Sequence, residues 1–190
     1  MIQIRVHGRG GQGVVTAAEL LSLAAFFDGQ YAQAFPSFGS ERTGAPVTSF
    51  CRMSEKEIRS REPVFYPDVV IIQDSTLLHH VDVFGGLSQK GYVLINSTRS
   101  LEDLGVINFC STLPDKHCRA IPVLEIALKH LGRPLANAGL VGGFAGLTGF
   151  LSMQAVEKAI QHKFPGPVGD LNMAVAAEAY EQIVTYTFSV

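Results

Sequence analysis

Apolar and polar residues alternate along M-I-Q-I-R-V-H, from Met1 to His7, and this period of two predicts a strand. Six residues, G-R-G-G-Q-G, separate it from V-V-T-A-A-E-L-L-S-L-A-A-F-F-D, whose apolar periodicity predicts a long helix ending at Asp28. Further along, Gln30 to Phe35 and Val47 to Arg52 read as strands around a polar loop, Pro36 to Pro46. Asp68 to Asp74 and Gly91 to Asn96 are apolar runs of the kind expected in parallel strands covered on both faces. Ser75 is placed to cap a helix through His79–Val83. Val106 to Cys110 and Arg119 to Pro122 read as short strands, and Val123 to Leu131 as an amphipathic helix closed by Gly132. Met153 to Phe164 and Gly169 to Tyr186 form two closing helices split by P-G-P-V-G.

Strands alternating with helices predict an α/β fold: a single domain over residues 1–190, with a Rossmann-like, open, mostly parallel sheet flanked by helices. On such a sheet ligands gather at the carboxyl ends of the strands. Three polar segments are expected there: Gly8–Gly13, the Ser37–Gly44 loop, and Asn96–Arg99.

Gly8, Gly10 and Gly13 fit G-x-G-x-x-G, with a strand before and a helix after. Glycine suits a sharp strand-to-helix turn whose backbone approaches a phosphate, because it has no Cβ to block either. The helix-start amides and dipole then face the anion. A turn that only packs helix on strand is the simpler reading of the same residues. A nicotinamide site also wants an acid at the end of the second strand. That strand ends in Pro36 and Ser37, and Asp28 precedes it, so NAD is not the expected ligand.

Composition narrows the classes. The 190 residues suffice for one full core, and 47% are apolar, so the chain is globular. A net charge of −2 without a basic run argues against nucleic-acid binding. Strand and motif begin at once, so no secretory signal is expected. Pro134 to Val156 carries no charge, but Asn137, Thr148, Ser152, Gln154 and five glycines interrupt it, so a buried or interface helix is expected, not a membrane span. Cys51, Cys110 and Cys118 are odd in number with no C-x-x-C. They are expected to be free thiols in a reducing cytoplasm, with no iron–sulfur or zinc set of their own. Cys110, His117 and Cys118 lack a fourth ligand, and adjacent His117 and Cys118 would point apart on a strand.

G-R-G-G-Q-G on a first strand, then Y-A-Q-A-F-P-S-F-G-S-E-R-T-G-A-P-V, P-D-V-V-I-I-Q-D and Y-V-L-I-N-S, resembles the gamma subunit of 2-oxoacid:ferredoxin oxidoreductases over nearly the whole chain. The resemblance implies a complex that converts a 2-oxoacid and coenzyme A into acyl-CoA and carbon dioxide. It implies thiamine diphosphate with Mg2+ on alpha and beta subunits, [4Fe-4S] clusters on a ferredoxin-like delta subunit, and ferredoxin or another acceptor. The gamma chain would cap the site and help hold coenzyme A, with no catalytic residue and no metal of its own. By resemblance, Gly8, Gly10, Gly11, Gln12 and Gly13 line the coenzyme's phosphate region, Ser40, Arg42 and Thr43 face them from the loop, and Asn96 stands beside them. On the residues alone, Arg42 reads equally as a solvated loop charge, and Asn96 as a cap of the next turn. Pyruvate is the default substrate. Phenylglyoxylate, indolepyruvate, 2-oxoglutarate and branched oxoacids stay open, as does a scaffold with no ligand.

Overall fold

The computed structural model describes residues 1–37 and 43–187, with side chains to residue 185. Strand β1 (Ile2–Arg9) lies inside the sheet, and its alternation buries Ile4 and Val6 on one face. Gln3, Arg5 and His7 take the other face. β1 pairs antiparallel with β3 (Pro46–Ser54) and parallel with β4 (Val69–Ile72). β2 (Tyr31–Pro36) runs antiparallel to β3 at one edge. β5 (Tyr92–Asn96) and β6 (Cys118–Ile121) continue from β4 in parallel, giving the order β2-β3-β1-β4-β5-β6. The sheet is open and mostly parallel, with an antiparallel portion at β2 and β3.

The period of two splits β4 and β5 between two cores. Val69, Ile71 and Leu94 join Ile4 and Val6 under α1 (Val14–Phe27), α4 (Asn137–Thr148) and α5 (Met153–Lys163). Val70, Ile72, Val93 and Ile95 form the second core with Leu77, Val83, Leu104 and Val106. Each such side chain contributes about 1.5–3 kcal/mol on burial. α3 (Val123–Leu131) and α6 (Pro167–Thr187) complete the helical layer. The end of α1 is tied to the start of α5, where Asp28 accepts from the Ser152 amide and hydroxyl at 2.7 and 2.6 Å.

The uncharged stretch holds α4, with residues Ala138 to Ala145 all buried, and runs on into the first turn of α5. A Cβ on Gly142 would lie 2.1 Å from the Ala176 carbonyl oxygen, so glycine there lets the α6 backbone come close. Among the described residues no helix is long and apolar enough to cross a membrane.

Three expectations are corrected. Val106–Cys110 is not a strand: residues Ile107–Cys110 form a short helix, α2, with Val106 and Cys110 buried one turn apart. A five-residue segment with Asn108 at its centre has no decisive period, and the place beside β5 is taken by β6. The segment after β4 is a 3-10 turn, Ser75–His79, whose cap is Asp74 and not Ser75, and it ends before Val83. Cys110 and Cys118 are not free thiols. α2 and β6 bring their Cα atoms to 5.7 Å and they form a disulfide, a pairing that spacing alone does not reveal. Cys51 is a free, buried thiol, pushed up to about 12 by burial against a weaker opposing effect of Arg52.

Candidate functional site

β1 ends in the glycine turn, and two of its glycines adopt conformations that side chains disfavour. Gly11 has φ +89° and Gly13 has φ +78°. Gly13 is the N-cap of α1 and offers no side chain, so no side-chain bond caps this helix. Gly8 and Gly13 also serve packing. A Cβ would lie 2.5 Å from Val14 Cγ2 at Gly8, and 2.5 Å from the Asn137 amide at Gly13. At Gly11 the nearest atom would be Thr43 Cγ2 at 3.8 Å, and this residue is exposed.

The polar loop meets the turn directly. The Gly10 amide donates to the Ala45 carbonyl at 2.9 Å, and the Gly44 amide donates to the Gly10 carbonyl at 3.0 Å. Thr43 bridges Gly10. Ser40 and Arg42 lie outside the described residues.

Polar side chains fix the turn from below. Gln12 accepts from the Arg9 amide at 2.8 Å through Oε1 and donates to Asp74 Oδ2 at 2.7 Å through Nε2. The Arg9 guanidinium donates to the Gly44 carbonyl at 3.0 Å and to Thr76 Oγ1 at 2.8 Å, and pairs with Asp74 at 3.2 Å. Asp74 Oδ1 accepts from the Thr76 amide and hydroxyl at 3.0 and 2.6 Å. Burial pushes the Asp74 carboxyl up. The bonds from Thr76 and Gln12 and the charge of Arg9 outweigh it, holding the group below the ordinary carboxylate value.

Amides carry the turn into the interior. Gln73, 4% exposed, donates through Nε2 to the Gln12 carbonyl at 2.5 Å. One end of the Asn137 amide faces the Gly13 and Gln12 carbonyls at 3.0 and 3.3 Å, which makes that end the nitrogen. Asn96 reaches the site only indirectly. Its Nδ2 donates to the Gln73 carbonyl at 3.0 Å, and its Oδ1 accepts from the Leu124 amide in the first turn of α3 at 3.2 Å. Ser97, Thr98 and Arg99 do not join the turn but line a separate cavity of about 490 Å3 with Arg119 and Glu125.

His7, one step below Gly8, is buried and accepts from Arg5 Nε at 3.0 Å. Burial first, and the Arg5 charge second, lower its pKa to about 4, so it is neutral near pH 7. Arg5 also donates to the Val83 and Gly85 carbonyls, which fastens the loop over the second core.

Arg9, Gln73, Asp74, Thr76 and Asn137 are the site residues that sequence reasoning did not select. Arg9 lay inside the motif itself. Asp74 closes the strand that pairs in parallel with β1, but the second strand in sequence is β2, two places from β1. An acid thus does stand at the end of the strand beside β1. Both its oxygens are engaged within the protein.

The comparisons agree with one another. The family described as pyruvate ferredoxin/flavodoxin oxidoreductase matches residues 3–182. The chain is 46% identical to pyruvate synthase subunit PorC of Methanothermobacter marburgensis, covering 96% of this chain and 98% of that one. It is 46% identical to the pyruvate/ketoisovalerate oxidoreductases common subunit gamma of Pyrococcus abyssi, over 96% of this chain and 97% of that one. The crystal structure of PORC from Thermotoga maritima superposes with a TM-score of 0.79 at 34% identity, covering 95% of both chains. A 2-oxoglutarate:ferredoxin oxidoreductase from Magnetococcus marinus, described with 2-oxoglutarate, coenzyme A and succinyl-CoA bound, shares the fold at a TM-score of 0.73 and 15% identity, over 97% of this chain and 31% of that one. A strand, glycine turn and strapped loop within a domain matched along nearly its whole length place the chain in the pyruvate ferredoxin/flavodoxin oxidoreductase family, as a gamma-type subunit of an oxidoreductase complex.

Proposed function

We propose that residues 1–190 form one gamma-type domain that holds part of coenzyme A and caps the active site of a thiamine-diphosphate-dependent, iron–sulfur 2-oxoacid:acceptor oxidoreductase, with pyruvate as the default substrate. The observation that carries this reading is the uncapped start of α1. A helix of 14 residues begins at an αL glycine with no side-chain cap, directly behind a turn whose Gly11 is exposed and whose Gly10, Gln12 and Gly13 are half-buried. Its first amides and dipole favour an anion such as a coenzyme phosphate. Gly8, Gly10, Gly11, Gln12, Gly13 and Thr43 form the floor and near wall, and Ser40 and Arg42 are the loop's polar contribution, with Arg42 supplying positive charge. Asn96 acts at one remove, by holding Gln73 under the turn.

The partners are alpha and beta subunits that bind thiamine diphosphate and Mg2+, a ferredoxin-like delta subunit with [4Fe-4S] clusters, and ferredoxin or another acceptor, in the cytoplasm. Those groups supply carbanion chemistry and electron transfer. This chain binds, orients and covers. The relatives named as common subunits of pyruvate and ketoisovalerate oxidoreductases support leaving the choice of oxoacid to other chains, because a shared subunit cannot distinguish the two.

A scaffold without a ligand is the second reading, and the packing at Gly8 and Gly13 favours it. Steady-state kinetics of the assembled complex separate them. Arg42→Ala is expected to raise the KM for coenzyme A while leaving the KM for pyruvate unchanged, and the isolated chain is expected to be inactive. An unchanged coenzyme A KM supports the scaffold.

A further inference from the structure

Asp74 is the last residue of the P-D-V-V-I-I-Q-D motif, and it contacts three side chains that support the turn, Gln12, Arg9 and Thr76. One oxygen receives Gln12 and Arg9, and the other receives the Thr76 amide and hydroxyl. Gln12 is thereby oriented so that its Oε1 meets the Arg9 amide at the start of the turn. Arg9 is oriented so that its Nη1 meets the Gly44 carbonyl, the last part of the facing loop. Gly44 and Ala45 then bond Gly10 on both its amide and its carbonyl. The chain of contacts runs from β4 through a side chain of the turn and a side chain of β1 into the loop, and returns to the turn's backbone.

We propose that Asp74 is a positioning residue for coenzyme A: with Arg9 it clasps the glycine turn and the 43–45 segment into one unit. This rests on the coenzyme reading above. Asp74 does not touch the ligand, because its oxygens face Gln12, Arg9 and Thr76. A charged acceptor is required. An asparagine would turn an amide nitrogen toward Gln12 Nε2 and Arg9 Nε, or toward the Thr76 amide, and set donor against donor. Lysine at position 9 would keep the charge but could not span Asp74, Thr76 and Gly44 with a planar fork.

The test uses the assembled complex, with wild type, Asp74→Asn and Arg9→Lys compared. Two readouts are taken: the kinetic constants, and hydrogen exchange of the Gly10 and Gly44 amides. Both variants are expected to raise the coenzyme A KM by roughly tenfold, the size of one lost charge-assisted bond. The KM for the 2-oxoacid and kcat should stay within about twofold, a split that general loss of folding would not produce. Gly10 and Gly44 should exchange faster before coenzyme A is added. Unchanged coenzyme A KM and unchanged exchange in Arg9→Lys, which keeps the Asp74 carboxylate, overturn the clasp even if Asp74→Asn fails to assemble. The coenzyme reading fails separately, if wild-type complex shows no coenzyme A protection at the turn. Protection in wild type with variants identical to it refutes the clasp alone.

Discussion

Two glycine-rich segments, Gly8–Gly13 and Gly139–Gly149, look alike in the sequence, but Gly11 in the first and Gly139, Gly142 and Gly143 in the second use glycine for opposite reasons. In the turn, Gly11 and Gly13 take positive φ, and the backbone amides behind them lack a side-chain cap. In α4 the inner glycines are helical, and their missing Cβ atoms let neighbours approach: Val123 at Gly139, the α6 backbone at Gly142, and Ile121 at Gly143. The first segment uses conformation to present polar groups outward. The second uses small size to bring apolar layers together, so it needs no ligand to account for it. The number of glycines does not separate the two. Backbone angle and free space set Gly11 apart from Gly139, Gly142 and Gly143.

Breaking the second segment should have the larger effect on stability. Gly142→Ala forces a Cβ against the Ala176 backbone and is expected to cost about 3 kcal/mol, at the upper end of overpacking, read by urea unfolding. The coenzyme A KM of complexes that still assemble should be unchanged. An altered KM with unchanged stability would erase the contrast.

The strand beneath the turn carries a pH signature that the uncharged α4 lacks. His7 has a folded pKa of about 4 against 6.5 unfolded, so between these values the unfolded chain binds more protons. Its contribution is full above pH 6.5 and is lost as pH falls toward 4, by about 3 kcal/mol in total. Unfolding measured from pH 7 to 4 should show that slope, and His7→Gln should flatten it. Asp74 acts lower: its stabilisation is present above the ordinary value of 3.8 and is lost as pH falls through its depressed folded value.

The smallest stability effect is expected at Gly11→Ala. The site is open, with Thr43 Cγ2 at 3.8 Å, so the cost is the strain of φ +89°, about 1 kcal/mol. The functional effect should be the reverse of that for Gly142→Ala: nearly native stability with a raised coenzyme A KM.

Much of this fold was legible because the apolar periods are long. β1, β4, β5 and α1 follow directly from alternation, buried runs and helical spacing. Short segments were not. Val106–Cys110 has apolar residues typical of a strand but forms the short helix α2 outside the sheet, and Cys110 meets Cys118 only because α2 returns to β6. The turn and its facing loop were visible as motifs, and their contact through Gly10, Gly44 and Ala45 agrees with the expected convergence. Asp74 was invisible as a site residue because its role depends on β4, not β2, lying beside β1. Asn96 was at the right strand end, but its amide is committed to Gln73 and Leu124.

On the proposed reading the uncapped turn receives coenzyme A while chemistry proceeds on partner chains. Hydrogen exchange of the assembled complex, with coenzyme A, with NAD and with neither, tests it most directly. Slower exchange in peptides covering Gly8 to Thr16 with coenzyme A alone is the expected result. Exchange there that is unaffected by coenzyme A, or slowed equally by NAD, would show that the turn is not a coenzyme A site.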